Sequence, residues 1–487
     1  MLYLLLMLFP IAMAGSCFVL RQQPQLTGVI GITTALLELF MAAMLKTDQP
    51  SRMLGLTLTI DPLSQLCLLA LIATTGLAFV VTLSISHGEL FVPVTLIILA
   101  LVSSIILLQQ EPFTVALLLI SAGVLAVLTI VDLPTGSPGL VARAVIATAL
   151  KYLVLMVVAG VMMYIAFVLI SVYDPDQPVA RVSPARLSLA LLVVGFGIRL
   201  AIAPFHSWLP DLTEYAAPMV SVIIIAVINT VSLLFLLQSW ENFPSLVIEN
   251  QRGLTILMVL GIITAIVGGF LAIGQESMRR TIGYMVVANS GMIMFGIASG
   301  TARGVAGALF DTFSQMLAIL LLFSSVALLE RPDGRPANVL RHDLLWRWPI
   351  AGVGLIGGGL TMLGLPPFSG FAGKLLLFEA AAERGAAYLL FMLLAVLLTA
   401  LALIRLFRER LFGPPEEQSQ SEQAAMLGAT DLDLPAERRL LPEPRSMALL
   451  TVTLLGCCLA LGLYPGPLMS TIDAAVRSMS FLKLMNL

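Results

Sequence analysis

Charge is what this sequence has least of. Asp, Glu, Lys and Arg together make up 11% of its 487 residues, against 59% hydrophobic, and its mean hydropathy is +1.01. A water-soluble domain cannot hide that much apolar surface, so the solvent of this chain is lipid. The net charge of −2 lacks the basic excess that nucleic-acid binding needs. Four cysteines (Cys17, Cys67, Cys457, Cys458) all lie in apolar runs without ligand-type spacing, and the three histidines (His87, His206, His342) are far apart. That argues against a disulfide framework and against a zinc or iron–sulfur site. No nucleophile–base set stands out, which disfavours a free-standing enzyme. There is no GxxxxGK[ST] motif. The one GxGxxG match, "GVGLIG" at Gly352, Gly354 and Gly357, sits inside an apolar run and reads as close helix packing. No cofactor is expected in this chain; redox chemistry, if present, belongs to partners.

What is present is a series of long apolar runs. At ~20 residues per span they predict an all-α polytopic membrane protein of about 14 transmembrane helices. The expected spans are 2–20, 27–46, 62–83, 92–109, 112–131, 144–172, 187–203, 219–239, 254–273, 281–299, 302–328, 349–382, 386–407 and 446–468. The first, "MLYLLLMLFPIAMAGSCFVLR", lacks a positive start and is followed at once by another apolar run, so it reads as a span rather than a signal peptide. Spans seven and twelve carry breakers: Pro204, Pro210 and Pro218 follow the first, and "GLPPFSGFAGK" (Gly364 to Lys374) interrupts the second. Proline removes a backbone donor, and in a bilayer the freed groups need protein or water, so these breaks belong in the bundle interior. Their five-span offset is what two inverted five-helix repeats, spans 4–8 and 9–13, would give. The organisation expected is 1–110, N-terminal helices; 111–240, a core with broken helix seven; 241–410, a core with broken helix twelve; 411–445, a cytoplasmic loop; and 446–487, a C-terminal transmembrane helix. Loops after odd-numbered spans carry roughly 14 Lys and Arg and those after even spans roughly 8, which places both termini outside. The odd set includes Arg279/Arg280, then Arg331, Arg335, Arg341 and Arg347, then Arg405, Arg408, Arg410, Arg438, Arg439 and Arg445.

An ionisable group mid-bilayer costs about 2.5–3.5 kcal/mol even on lenient scales, so each is a functional candidate. Lys151 lies early in span six, Arg199 late in span seven and Lys374 at the end of the break in span twelve. Asp311 in span eleven stands four residues before Gln315, on the same helical face. His206, Asp211 and Glu214 occupy the stretch after span seven. Desolvation brings a lysine toward proton exchange, whereas an arginine, with its pKa above ~12, sets a field and does not shuttle protons. Each candidate also has a plain structural reading. Lys151 snorkels; Arg199 pairs with an acid or with carbonyls freed by the break; Lys374 pairs with Glu379 or snorkels; Asp311 neutralises Arg303; His206 caps or bridges the break.

The stretch "RLAIAPFHSWLPDLTEYAAPMVS" resembles the central signature of the antiporter-like subunits of respiratory complex I, which share ancestry with Mrp-type cation/proton antiporters and membrane-bound hydrogenases. "LKYLVLMVVAG", "MRRTIGYMVVANSGMIMFG" and "GLPPFSGFAGKLLLFEA" are similar to the family's sixth, tenth and broken twelfth spans. Together the resemblance covers roughly 110 to 410. "PFHSW" with "YAAP" and the Lys151–Tyr152 pair look most like the N-type subunit. The resemblance implies a proton- or cation-pumping subunit without its own redox site, in a bacterial-type inner membrane, with other membrane subunits as partners.

It also implies a buried charged axis along the membrane midplane, and here this sequence departs from the pattern. The span-twelve Lys is present as Lys374. The span-seven Lys position holds Arg199, the span-eight Lys or His position aligns with Asn229, and the span-five Glu has no counterpart. In span eleven a His-xxx-Lys pattern reads Asp311-xxx-Gln315, and in span ten a His aligns with Asn289. Because an arginine cannot release its proton on cue, two readings stay open: a rewired pump using Asp311, Lys374 and ordered water, or a diverged subunit kept for assembly.

Overall fold

A computed structural model describes residues 2–47, 51–53, 56–85, 87–132, 139–172, 184–248, 250–330, 344–412 and 443–485. Among these the chain is almost wholly helical; the only strands are a short antiparallel hairpin, Ser51–Met53 against Leu56–Leu58. Among the described residues, eleven helices are long and apolar enough to cross a membrane. The other three expected spans appear as shorter helices: Phe91–Leu107, Pro184–Arg199 and Pro349–Leu363. Span starts follow local chemistry. Pro24, Pro62, Pro112, Pro218 and Pro349 open helices, where their missing N–H costs nothing. Asp61 caps the Pro62 start by accepting from the Ser64 N–H, and Ser277 and Thr301 accept from the Arg280 and Gly304 backbone N–H groups at two other starts. The last expected span is shorter than 446–468: the helix Arg445–Leu463 stops before Pro465, and an amphipathic helix, Gly466–Ser478, follows.

Burial divides the bundle. In Pro218–Asn242, Met278–Ala298 and Ala302–Leu329 the apolar stretch is 94%, 94% and 89% buried, whereas in Leu2–Val19, Ala386–Leu411 and Arg445–Leu463 it is 22–28%. The first three form the middle and the last three lie on the outside of the bundle. Basic residues of loops after odd spans gather at one end: Arg279 Nε meets Glu330 at 2.6 Å, Arg405 Nε meets Glu409 at 2.8 Å, and Arg410 donates to the Glu276 carbonyl at 2.5 Å. Arg331, Arg335, Arg341, Arg438 and Arg439, the Arg347 side chain and most of the expected cytoplasmic loop (413–442) lie outside the described residues.

Candidate functional site: two helix breaks in the bundle interior

Both expected breaks are present. Helix Pro184–Arg199 ends at Arg199, the chain passes Ala201 in a left-handed conformation (φ 57), and a short helix Trp208–Tyr215 follows. The freed backbone groups find protein partners, as the lipid environment demands: the Ile198 carbonyl accepts from Trp208 Nε1 at 2.9 Å, and the Ala203 N–H donates to Thr264 Oγ1 at 2.9 Å. The second break runs from Pro349–Leu363 to Gly370–Arg384. Gly364 closes the first half with φ +75, a conformation glycine adopts at no steric cost. Ser369 N–H crosses to the Cys458 carbonyl at 2.9 Å.

The second break carries a buried ion pair. Lys374 Nζ lies 3.0 Å from Asp311 Oδ2, with side-chain exposures of 2% and 3%. The ammonium also donates to Asn289 Oδ1, and the Met292 sulfur lies 3.3 Å away. Asn289 Nδ2 in turn donates to Gln315 Oε1 at 2.7 Å. Close approach makes the pair possible, since a Cβ on Gly373 would come within 2.8 Å of the Asp311 backbone nitrogen. Two structural expectations are corrected here. Asp311 does not neutralise Arg303, and Lys374 does not pair with Glu379. Arg303 instead lies at the exposed end with Glu379 (3.6 Å) and Glu383.

Arg199 is also fully buried, but its partners are neutral: Ser232 Oγ at 2.6 Å, the Leu119 carbonyl at 2.9 Å and the Met156 sulfur at 3.9 Å. The expected pairing with an acid or a freed carbonyl is therefore corrected. Leu119 lies within helix Pro112–Val131, and the carbonyl freed at Ile198 goes to Trp208. Asn229 stands one turn before Ser232, just after a wide π-helical turn over Ile223–Ile228. Its buried Oδ1 has no partner, and the residue lines a cavity of about 30 Å³ with Thr230, Ser290, Thr312 and Gln315. That is room for a water or two. Arg199–Ser232, Asn229, Gln315–Asn289 and Lys374–Asp311 thus form one polar line across the buried middle of the bundle.

The remaining candidates sit elsewhere. Lys151 does not snorkel freely; it donates to the Ser207 carbonyl (3.0 Å) and Asp211 (2.7 Å), and Arg280 joins Asp211 (3.6 Å) and Glu214 (3.0 Å). All four side chains are 21–36% exposed. This network pins helix Trp208–Tyr215 to its neighbours. His206 does not cap the break: its Nδ1 is buried without a partner, and its ring lies 6.3 Å from that of Tyr284. Ser232 and Met292 escaped sequence reasoning because a serine or methionine in an apolar helix carries no signal. Glu38, inside the second span, also escaped it, although a lone acid in an apolar run was signal enough. Among the described residues no group of three or more His, Cys, Asp or Glu side chains could hold a metal ion.

Residues 139–401, more than half of the chain and spanning both breaks, match the family described as NADH:quinone oxidoreductase/Mrp antiporter, transmembrane. The chain belongs to this family. Its relatives include NADH-quinone oxidoreductase subunit N 2 of Solidesulfovibrio magneticus, 32% identical over 45% of this chain and 46% of that protein. Another is NADH-quinone oxidoreductase subunit N of Heliobacterium modesticaldum, 27% identical over 61% and 59%. The matches span about half the length of these curated relatives. Solved structures share the fold over nearly the whole chain. They include a chain of the archaeal membrane-bound sulfane sulfur reductase (TM-score 0.82, 18% identity, 99% and 98% covered) and one of the Mrp complex from Dietzia sp. DQ12-45-1b (0.81, 18%, 100% of both). A chain of Thermus thermophilus respiratory complex I follows at 0.74, with 19% identity over 100% of both. All three are chains of multi-subunit membrane complexes, and this family member is a multi-pass membrane protein of the antiporter-like type.

Proposed function

We propose that this chain is a proton-translocating subunit of a redox-driven membrane complex of the complex I type, with its exchanging site at the second break. The observation that carries this is the buried Lys374–Asp311 pair at a helix break, linked through Asn289 to Gln315. Such a buried pair has two possible states, one charged and one neutral. The charged state gains Coulomb attraction but loses hydration, and transfer of one proton from Nζ to Oδ2 yields a neutral amine and acid. A charge moving nearby, or a water entering the adjoining cavity, tips the balance and frees a proton. Arg199 stays protonated throughout and acts as a fixed field. In this reading the chain crosses the bilayer fourteen times as two inverted repeats, with both termini outside a bacterial inner membrane. It holds no cofactor; the electron-carrying centres belong to its partners.

The subunit N relatives support a redox complex. The test is gentle purification through a tag on this chain, with mass spectrometry of what stays bound, followed by reconstitution in vesicles. Co-purifying flavin or iron–sulfur subunits and acidification on adding an electron donor are expected. Recovery of small membrane proteins alone, with Na⁺-dependent proton movement needing no electron donor, would replace this reading with an Mrp-type antiporter.

A further inference from the structure

Glu38 lies in helix Pro24–Ala43, 0% exposed, and neither carboxyl oxygen has a hydrogen-bond partner. Its depth is fixed by contacts on either side. Ala35 meets Gly76, and Gln65 Nε2 donates to the Ala42 and Leu45 carbonyls, so Glu38 packs between them against helix Pro62–Thr82. The other helices against this one are Leu2–Val19 and Phe91–Leu107. None of these three neighbours contains a single Asp, Glu, Lys, Arg or His; their titratable groups are Tyr3, Cys17 and Cys67. Tyr3 bonds to the Lys46 carbonyl and Cys17 points at the Thr27 carbonyl. Among the described residues, the three helices packed most closely on Glu38 therefore offer it no counter-ion. Two further buried hydroxyls, Thr95 and Ser103 on Phe91–Leu107, also lack partners.

An ionised carboxylate only accepts hydrogen bonds, whereas the protonated acid adds an O–H donor for which helix carbonyls are acceptors. Left charged, the group would be a buried anion without a hydrogen-bond partner. We propose that Glu38 is a proton-binding site, held as the neutral carboxylic acid and separate from the line between Arg199 and Lys374.

Infrared difference spectroscopy on the membrane assembly purified through this chain tests it, at neutral pH, in H₂O and D₂O. A protonated-carboxyl carbonyl band that shifts in D₂O is expected in the wild type, lost in Glu38→Gln and moved in Glu38→Asp. An unchanged protonated-carboxyl region in Glu38→Gln overturns the proposal. Should Glu38→Gln not assemble, wild-type protein carrying ¹³C-carboxyl glutamate decides. A protonated band shifted by the label in the wild type and absent from equally labelled Glu38→Asp supports the site; no label-sensitive band in that region, or one that persists in Glu38→Asp, sinks it. The readout is independent of pumping, so it stands or falls apart from the proposed function.

Discussion

The two helix breaks each hold one buried basic side chain and satisfy it in opposite ways. Arg199 is the last residue of its half-helix, where the aligned backbone dipoles and carbonyls favour a cation. It therefore needs no anion, and its partners are a hydroxyl, a carbonyl and a thioether. Lys374 stands in the first turns of its half-helix, Gly370–Arg384, at the end where the dipole opposes a positive charge. It is held by a carboxylate brought from another helix. The difference teaches which break is suited to exchange. A cation that the fold stabilises by itself stays, whereas one that depends on a single buried anion is lost when that anion is disturbed.

Variants that break this comparison should follow the same order. Lys374→Ala, which leaves the Asp311 carboxylate buried and unpaired, is expected to cost about 3–5 kcal/mol of stability, read as a lowered unfolding temperature of the purified protein. Lys374→Met with Asp311→Leu should recover most of that loss; a double-variant cost equal to the sum of the two single costs would show that the two are uncoupled. Arg199→Ala should cost about 2–4 kcal/mol, mainly as an unfilled cavity, and Arg199→Lys about 1–3 kcal/mol for lost hydrogen bonds. If lysine is no better than alanine there, the positive charge at the first break is irrelevant. Asn289→Leu strips one acceptor from Lys374 and the donor to Gln315, for about 1–3 kcal/mol on the same measurement. The smallest effect belongs to the partly exposed network: Lys151→Ala should change stability by about 0–1 kcal/mol, less at high salt. A cost as large as that of Lys374→Ala would move the centre of the molecule to the wrong break.

Much of the fold was legible because a bilayer allows few solutions. Long apolar runs, opened by proline, become helices, and the two Pro/Gly interruptions become breaks with satisfied backbones. Partner choice was not legible. Glu379 is five residues from Lys374, and a helix turns it to another face, while Asp311 comes from 63 residues away through a Gly373 contact that only the packed bundle creates. The Asp311–Gln315 spacing marked the correct face without naming who meets it. The π-helical turn before Asn229 has no signature in "IIIAVI", and the serine that holds Arg199 looks like any other in an apolar helix. Glu38, by contrast, is readable in the sequence as a lone acid within an apolar run.

The central claim is that the second break exchanges protons and the first does not. The direct measurement is the number of protons moved per electron pair by the intact, reconstituted complex carrying Asp311→Asn or Arg199→Lys. Asp311→Asn should lower that ratio while Arg199→Lys leaves it at the wild-type value. An unchanged ratio in fully assembled Asp311→Asn complex, or a loss confined to Arg199→Lys, would contradict the account.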